Sequence, residues 1–248
     1  ANMLLYSAKE NYRAMRIINI RKSALAVVAL SLSSSLVIAL PASESGIALD
    51  SNWRVADYEF AKENLVHTAW GDEHYERNYL LELDLAKAKS LKIDKNVLFA
   101  AAFLHDMDVV EPYVVIDAEH TQTAAENIES ILNATDFSAK KIPDVKAAIL
   151  AHMFYANVPN NNTAIVLHEG HTKVFSGIIG VTRILFLSTR HPWATDLHTA
   201  IATLENFSEQ LPASLKTHAA IAIGKTRALG MKNFPKTLKS QNIQGKAL

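Results

Sequence analysis

Apolar residues recur at intervals of three and four positions from residue 55 to residue 239, and charged residues fill the positions between them. This spacing is typical of amphipathic helices that bury one face. No stretch alternates Val, Ile and Thr with polar residues over the length of a strand, and glycine is scarce, at 8 residues. The pattern predicts an all-α protein.

Boundary signals divide this pattern into separate helices. Asp94 precedes an apolar run as an N-cap, and Pro143 stands at a helix start. The turn cluster "NVPNNNT" at 157–163 ends one helix, and Pro212 separates the last two. The segment 109–116 is rich in valine, but Pro112 favours a loop over a strand. We therefore predict a single-domain helical bundle over residues 50–240, without internal repeats.

The N-terminal region has a different character. A basic front at Arg16, Arg21 and Lys22 precedes residues 24–40, which are apolar or small and carry no charge. Pro41 and small residues follow, as in a secretory signal peptide. Residues 1–42 comprise the upstream residues and this segment, and we expect them to be removed. The remaining protein is then expected to be exported, periplasmic or extracellular, and not associated with a membrane. The alternative is a membrane anchor at residues 24–40, near the short limit for a bilayer span.

Composition narrows the possible chemistry. Lys plus Arg equals Asp plus Glu, at 25 each, so charge gives no indication of binding to nucleic acid or anionic lipid. The chain has no cysteine and 10 histidines. Any transition-metal site must therefore use His, Asp or Glu.

Histidines and carboxylates interrupt the apolar faces of several predicted helices. One buried histidine is ordinarily a structural residue, but burying several unpartnered polar groups costs a few kcal/mol each. A shared metal centre removes that cost, since each ring nitrogen becomes a ligand and a carboxylate can bridge two ions. The pattern predicts one His/carboxylate site with one or two ions at the centre of the bundle. The residues in this series are His74, His105, Asp106, His120, His152, His168, Glu169 and His171.

The order of these residues resembles that of the HD superfamily of metal-dependent phosphohydrolases. "DEHYERNYLLEL" is similar to the family's D-H-x-x-R-V opening, with Glu73 inserted, and "AAFLHDMD" is similar to its A-A-L-L-H-D-I-x core. "FSGIIGVTRIL" and "LPASLKTHAAIAIGKTRALGM" resemble later segments of the small stand-alone bacterial members. The resemblance covers roughly residues 53–235 and implies an HD-type helical bundle.

This resemblance also implies a ligand set. His74, His105 and Asp106 match metal ligands, and His120 and His152 match two further histidines of the dinuclear branch. At the last position the chain departs from the family, because His171 stands where an aspartate is expected, six residues before Gly177, and Glu169 replaces an earlier aspartate. Either residue could complete the site. The implied cofactor is one or two divalent ions of Mn, Fe, Mg, Co or Ni.

The implied activity is cleavage of a phosphoester by a metal-activated water, with a small phosphorylated substrate. Asp106 and Arg77 are the predicted catalytic residues, although Arg77 could instead form a surface salt bridge. Asp108 and His168 are predicted to orient ligands. Two alternatives stay open: a di-iron oxygenase of the same superfamily, and a non-catalytic helical protein with a degenerate site.

Overall fold

Helices make up the regular structure of this chain. A computed structural model describes residues 41–65, 73–115, 118–190 and 193–241. Within those ranges no β-strand forms, and the one extended pairing is an isolated bridge between Ala42 and Ala48. The predicted all-α class is confirmed.

Nine α-helices lie within the described ranges, and two short 3-10 helices, Met107–Val109 and Ala139–Lys141, connect some of them. In chain order the α-helices are α1 Asn52–Asn64, α2 His74–Ala88, α3 Lys95–Leu104, α4 His120–Leu132, α5 Ile142–Ala151, α6 Asn162–Val174, α7 Gly177–Leu187, α8 Leu197–Ser214 and α9 His218–Gln241.

Helix α3 lies at the centre of the main core. Every residue from 97 to 104 is buried, as expected for a helix that is apolar on all sides. The ring of Phe99 stacks on Phe103 at 4.3 Å, and Trp53 of α1 meets Phe99 edge-on at 5.4 Å. Helices α1, α2, α5 and α6 surround α3, while α7, α8 and α9 form a second core.

The boundary signals are largely confirmed. The Asp94 carboxylate accepts hydrogen bonds from the backbone N–H of Asn96 at 2.9 Å and of Val97 at 3.2 Å. Pro143 stands in the first turn of α5, and Pro112 lies in a turn. The prediction for Pro212 is wrong, because this residue lies inside α8, which continues to Ser214. Burial of Leu211 and Leu215 keeps this last turn in place although the proline donates no hydrogen bond.

The folded domain includes residues before position 50. Ile47 and Leu49 are buried, and the hydroxyl of Ser43 donates to the carboxylate of Glu76 in α2 at 2.5 Å. The first 40 residues of the predicted upstream and signal segment (1–42), which include the alternative anchor at 24–40, lie outside the described residues. Among the helices that are described, none is both long and apolar enough to cross a membrane.

Candidate metal centre

The ends of α3 and α5 present two histidines in the same way. His105 directly follows α3, and its Nδ1 lies 2.9 Å from the carbonyl oxygen of Ala102. His152 directly follows α5, and its Nδ1 lies 2.6 Å from the carbonyl oxygen of Ile149. A carbonyl oxygen can only accept, so in each neutral ring Nδ1 carries the proton and Nε2 carries the free lone pair.

These contacts explain why each apolar run ends on a histidine. The last carbonyls of a helix have no partner within the helix, and the side chain supplies one three residues later. The ring is thereby fixed with its other nitrogen pointing away from the helix. Nε2 of His152 is buried and lacks a hydrogen-bond partner, which leaves a lone pair without a protein donor.

Four donor groups converge at this point. Each of His105, Asp106, His152 and His171 offers one atom, and these atoms all lie within 4.8 Å of one another. His171 comes from α6, and its ring centroid lies 4.6 Å from that of His152 and 5.1 Å from that of His105. All four residues are buried. We call these four residues the central cluster.

His120 extends the central cluster on its more open side. Its Nε2 lies 3.3 Å from Oδ1 of Asp106, and its Nδ1 lies 2.8 Å from Oδ2 of Asp108 in the first 3-10 helix. The Asp108 carboxylate therefore holds the ring. The His120 side chain is 28% exposed, against 7% for that of Asp106, so this edge faces solvent.

His74, at the start of α2, is held differently. Its Nε2 lies 3.4 Å from Nε2 of His105 and 3.5 Å from Oδ2 of Asp106. Its Nδ1 accepts a hydrogen bond from Nη2 of Arg183 in α7 at 2.8 Å, because a guanidinium can only donate. In the neutral ring the proton is then on Nε2, the reverse of His105 and His152. The amide nitrogen Nδ2 of Asn78 lies 3.1 Å from the same Nε2, and Oδ1 of Asn78 has no hydrogen-bond partner. Because an amide nitrogen can only donate, a proton on Nε2 requires the Asn78 amide to be turned so that its oxygen accepts.

Burial and the single central carboxylate set the charge states. Burial lowers the pKa of His74 to about 3 and lowers those of His152 and His171 well below the usual range, so these rings are neutral. Burial alone would raise the pKa of Asp106, but the positive charge and hydrogen bond that His105 supplies when its ring is protonated, with hydrogen bonds from His120 and His74, hold it well below its usual value.

His120 is the exception among these histidines. Burial opposes its charge, but the hydrogen bonds to Asp106 and Asp108 outweigh that effect and raise the pKa of His120 to about 10. The His120 ring therefore loses its Nε2 proton, and offers a lone pair there, only when a cation competes for Asp106.

The donor set suits a divalent metal ion. Neutral imidazole nitrogens and a carboxylate are common ligands of first-row transition metals. The backbone bonds of His105 and His152 supply the outer support that metal-bound histidines ordinarily have. The orphaned Nε2 of His152 gains a partner if an ion is held there.

Glu169 does not join the central cluster. Its Oε1 accepts from the backbone N–H groups of Lys216 and Thr217 at 2.8 and 2.5 Å, and its Oε2 accepts from the Thr217 hydroxyl at 2.8 Å. The carboxylate thus orders the segment that leads into α9. Of the two residues expected to complete the site, the structure places His171 in it and Glu169 outside it, because positions two apart on a helix face different ways.

Two other predicted residues, His168 and Arg77, lie outside the central cluster. Nδ1 of His168 lies 2.8 Å from the carbonyl oxygen of Ala151, and its Nε2 lies 3.2 Å from that of Ser214. A neutral ring donates to one of these two oxygens, and the side chain lies between their segments. Arg77 is half-buried one turn after His74, and its charge, after burial, contributes to lowering the pKa of Arg183 to about 10. The two guanidiniums are therefore close enough to repel each other.

The sequence did not predict that Arg183 and Asn78 contact His74. A signal for Asn78 was present, since it lies one turn after His74 on the same face of α2. Arg183 belongs to a helix more than a hundred positions away, and only the packing of α7 brings it to His74. His198 and His218 are exposed, as expected for histidines outside the site, and His67 and His191 lie outside the described residues.

Comparisons with solved structures support the fold. A protein from Lactobacillus plantarum matches with 22% identity and a TM-score of 0.59, over 76% of this chain and 96% of that chain. Bacillus subtilis YpgQ in complex with ADP matches with 14% identity and a TM-score of 0.57, over 78% and 100%. An HD-superfamily hydrolase from Bacillus thuringiensis matches with 14% identity and a TM-score of 0.53, over 77% and 97%.

The chain therefore has an HD-type fold. At these identities the likeness concerns the fold alone. No model of a known protein family matches the chain, and no curated protein does.

Proposed function

We propose that this protein is a metal-dependent phosphohydrolase that cleaves a phosphoester or phosphoanhydride bond in a small phosphorylated compound. The observation that carries the proposal is the central cluster, in which buried donors from α3, α5 and α6 and their connections converge within 4.8 Å. His105, Asp106, His152 and His171 would hold an ion, and His120 and His74 would extend the coordination. A bound divalent ion supplies Lewis acidity and lowers the pKa of a coordinated water.

The protein's own residues provide the supporting functions. Asp108 fixes the His120 ring, and the Ala102 and Ile149 carbonyls fix those of His105 and His152. Burial excludes bulk water from all but the His120 edge, which strengthens every charge interaction in the site. We expect the substrate to approach past His120 and Asp108.

Positive charge beside the cluster favours an anionic substrate. Arg183 is buried and its Nη1 has no hydrogen-bond partner, and Arg77 is close enough to lower the pKa of Arg183. Asp106 is the carboxylate whose charge acts on Arg183. A phosphoryl group gains energy from cations as charge develops on its oxygens. The similarly folded YpgQ was solved with ADP, which makes ADP and related nucleotides a reasonable first group of substrates.

The proposal is tested by assaying an aryl phosphate, ADP and other nucleotides with Mn, Mg, Co, Ni and Fe(II). We expect hydrolysis with at least one metal and its loss in Asp106→Ala. Asp84→Ala, which changes an exposed aspartate in α2, is the matched control and should keep full activity. No turnover under any of these conditions would contradict the proposal. Iron-dependent oxygen uptake without phosphate release would favour the oxygenase alternative.

A further inference from the structure

The central cluster holds unusually few oxygen donors. Three of its four groups are imidazoles, and Asp106 is its one carboxylate. The neighbouring carboxylates of Asp108 and Glu169 do not belong to the converging group. Asp108 bonds to His120 through Oδ2 and keeps a buried, unpartnered Oδ1, and Glu169 bonds to Lys216 and Thr217. An ion at this point therefore meets mainly neutral nitrogen atoms.

This donor set discriminates among divalent metals. Mg²⁺ is a hard cation that prefers oxygen ligands and gives up its waters reluctantly. Imidazole suits Fe, Co, Ni, Cu and Zn, whereas carboxylates, carbonyls and water suit Mg, Ca and Mn. A cluster with one carboxylate offers Mg²⁺ and Mn²⁺ little compensation for the water that they lose.

The nitrogen donors cannot easily turn away. The Ala102 and Ile149 carbonyls hold the Nδ1 atoms of His105 and His152, so Nε2 of each ring stays directed at the cluster. His171 is constrained by packing, with its ring centroid 4.9 Å from Phe175 and 4.6 Å from His152. The three rings are thus preorganised as nitrogen ligands before any ion arrives.

The residue at position 171 determines how many nitrogen and how many oxygen donors the central cluster contains. It is the one member of the cluster contributed by α6, and its burial leaves 4% of its surface exposed, so water does not readily replace it. A carboxylate here would give the ion a second anionic oxygen, whereas the imidazole gives it a third nitrogen.

We infer that His171 makes this site selective for nitrogen-preferring transition metals such as Co²⁺, Ni²⁺, Zn²⁺ and Fe²⁺. The site binds Mg²⁺ and Mn²⁺ weakly. The inference rests on the proposed function in that it concerns the same metal site. It adds a specificity-determining role for one residue.

The test is a competition at equilibrium. Protein stripped with a chelator is dialysed against equal free concentrations of Mn²⁺ and Co²⁺, and the bound metals are measured by elemental analysis. Because Co²⁺ binds more tightly than Mn²⁺ to most sites, the informative quantity is the change in the Co/Mn ratio on substitution. We expect His171→Asp to lower that ratio at least about tenfold, while His198→Asp, at an exposed position in α8, leaves it unchanged.

A second measurement needs no variant. Cu²⁺-loaded wild-type protein should show electron paramagnetic resonance hyperfine structure from three or more nitrogen ligands, and Mg²⁺ should not displace bound Co²⁺. An unchanged Co/Mn ratio in a folded His171→Asp protein, or fewer than three nitrogen ligands in the wild type, would overturn the inference and leave the proposed hydrolysis standing. A folded wild-type protein that binds none of these metals would overturn the proposed function itself.

Discussion

The guanidinium of Arg183 donates a hydrogen bond to Nδ1 of His74 across 2.8 Å, joining α7 to the first residue of α2. The contact assigns the ring proton of neutral His74 to Nε2, the atom that faces His105 and Asp106. If His74 held a metal ion through Nε2, its ring proton would have to stand on Nδ1, where it would meet the guanidinium donor and break the contact.

Removal of this donor should strengthen metal binding. We expect Arg183→Met to bind Co²⁺ about tenfold more tightly than the wild type, since a hydrogen bond to a charged group contributes about 1.5–3 kcal/mol. Isothermal titration calorimetry measures the affinity. Arg190→Met, which removes an exposed arginine just after α7, is the control and should have no effect. An unchanged affinity in Arg183→Met would mean that His74 stays outside the coordination sphere.

Substitutions of Glu169 and His171 should affect different properties, the first mainly stability and the second mainly metal content. Glu169→Ala removes the carboxylate that accepts from Lys216 and Thr217, so it should lower the free energy of unfolding by about 2 kcal/mol and leave the metal content unchanged. His171→Ala should lower the metal content with a smaller effect on the metal-free protein. Denaturant unfolding and elemental analysis check both. Loss of metal in a folded Glu169→Ala protein would return Glu169 to the ligand set.

Gly170 should resist substitution because of Glu82. A Cβ at position 170 would overlap Cγ of Glu82 in α2, so the two side chains cannot both fit without movement. We expect Gly170→Ala to destabilise the fold by about 1–3 kcal/mol, despite the higher helix propensity of alanine.

Gly230→Ala provides the matched control for that substitution. At this position in α9 a Cβ would meet Cδ1 of Ile178 at an ordinary 3.6 Å, so the change should be neutral or stabilising. Adding Glu82→Ala to Gly170→Ala should recover most of the lost stability in thermal unfolding. Equal effects at the two glycines would contradict the steric explanation.

Asp57 should make stability depend on pH. Burial raises the pKa of this carboxyl in α1 to about 8, and neither oxygen has a hydrogen-bond partner. The folded state therefore binds a proton that the unfolded state has released once the pH exceeds the usual aspartate pKa of 3.8. Stability from this group falls as pH rises from about 4 to about 8.

The variant Asp57→Asn removes that titration. The free energy of unfolding, measured in urea between pH 5 and pH 8, should fall less steeply with pH in the variant than in the wild type. We expect the two proteins to differ by a few kcal/mol more at pH 8 than at pH 5, in favour of Asp57→Asn, at about 1.4 kcal/mol for each unit of pKa difference. Parallel pH profiles would show that the carboxyl titrates normally in the folded protein.

Local patterns in the sequence predicted the helices and most of the polar residues that converge. The runs before His105 and His152 indicated buried helices that end on a histidine, and the N-cap at Asp94 is a matter of neighbouring residues alone. Such features depend on contacts a few positions apart, which a sequence pattern records.

Features that depend on the packing of distant helices could not be predicted in this way. Glu169 and His171 are both plausible metal ligands by residue type, and only the position of the segment before α9 shows that Glu169 bonds there. The Arg183–His74 contact likewise requires α7 to cross the start of α2. The fit of Gly170 against Glu82 follows from the close approach of α2 and α6.

The amount of divalent metal that the protein binds after loading and gel filtration tests the central cluster most directly. We expect about one ion or more for each wild-type chain, and a loss of most of that metal in His152→Ala with the helical circular dichroism retained. His218→Ala, at an exposed position, should bind as much metal as the wild type. A wild-type chain that is folded and binds no metal, or a His152→Ala chain that binds as much as the wild type, would contradict the assignment of the central cluster.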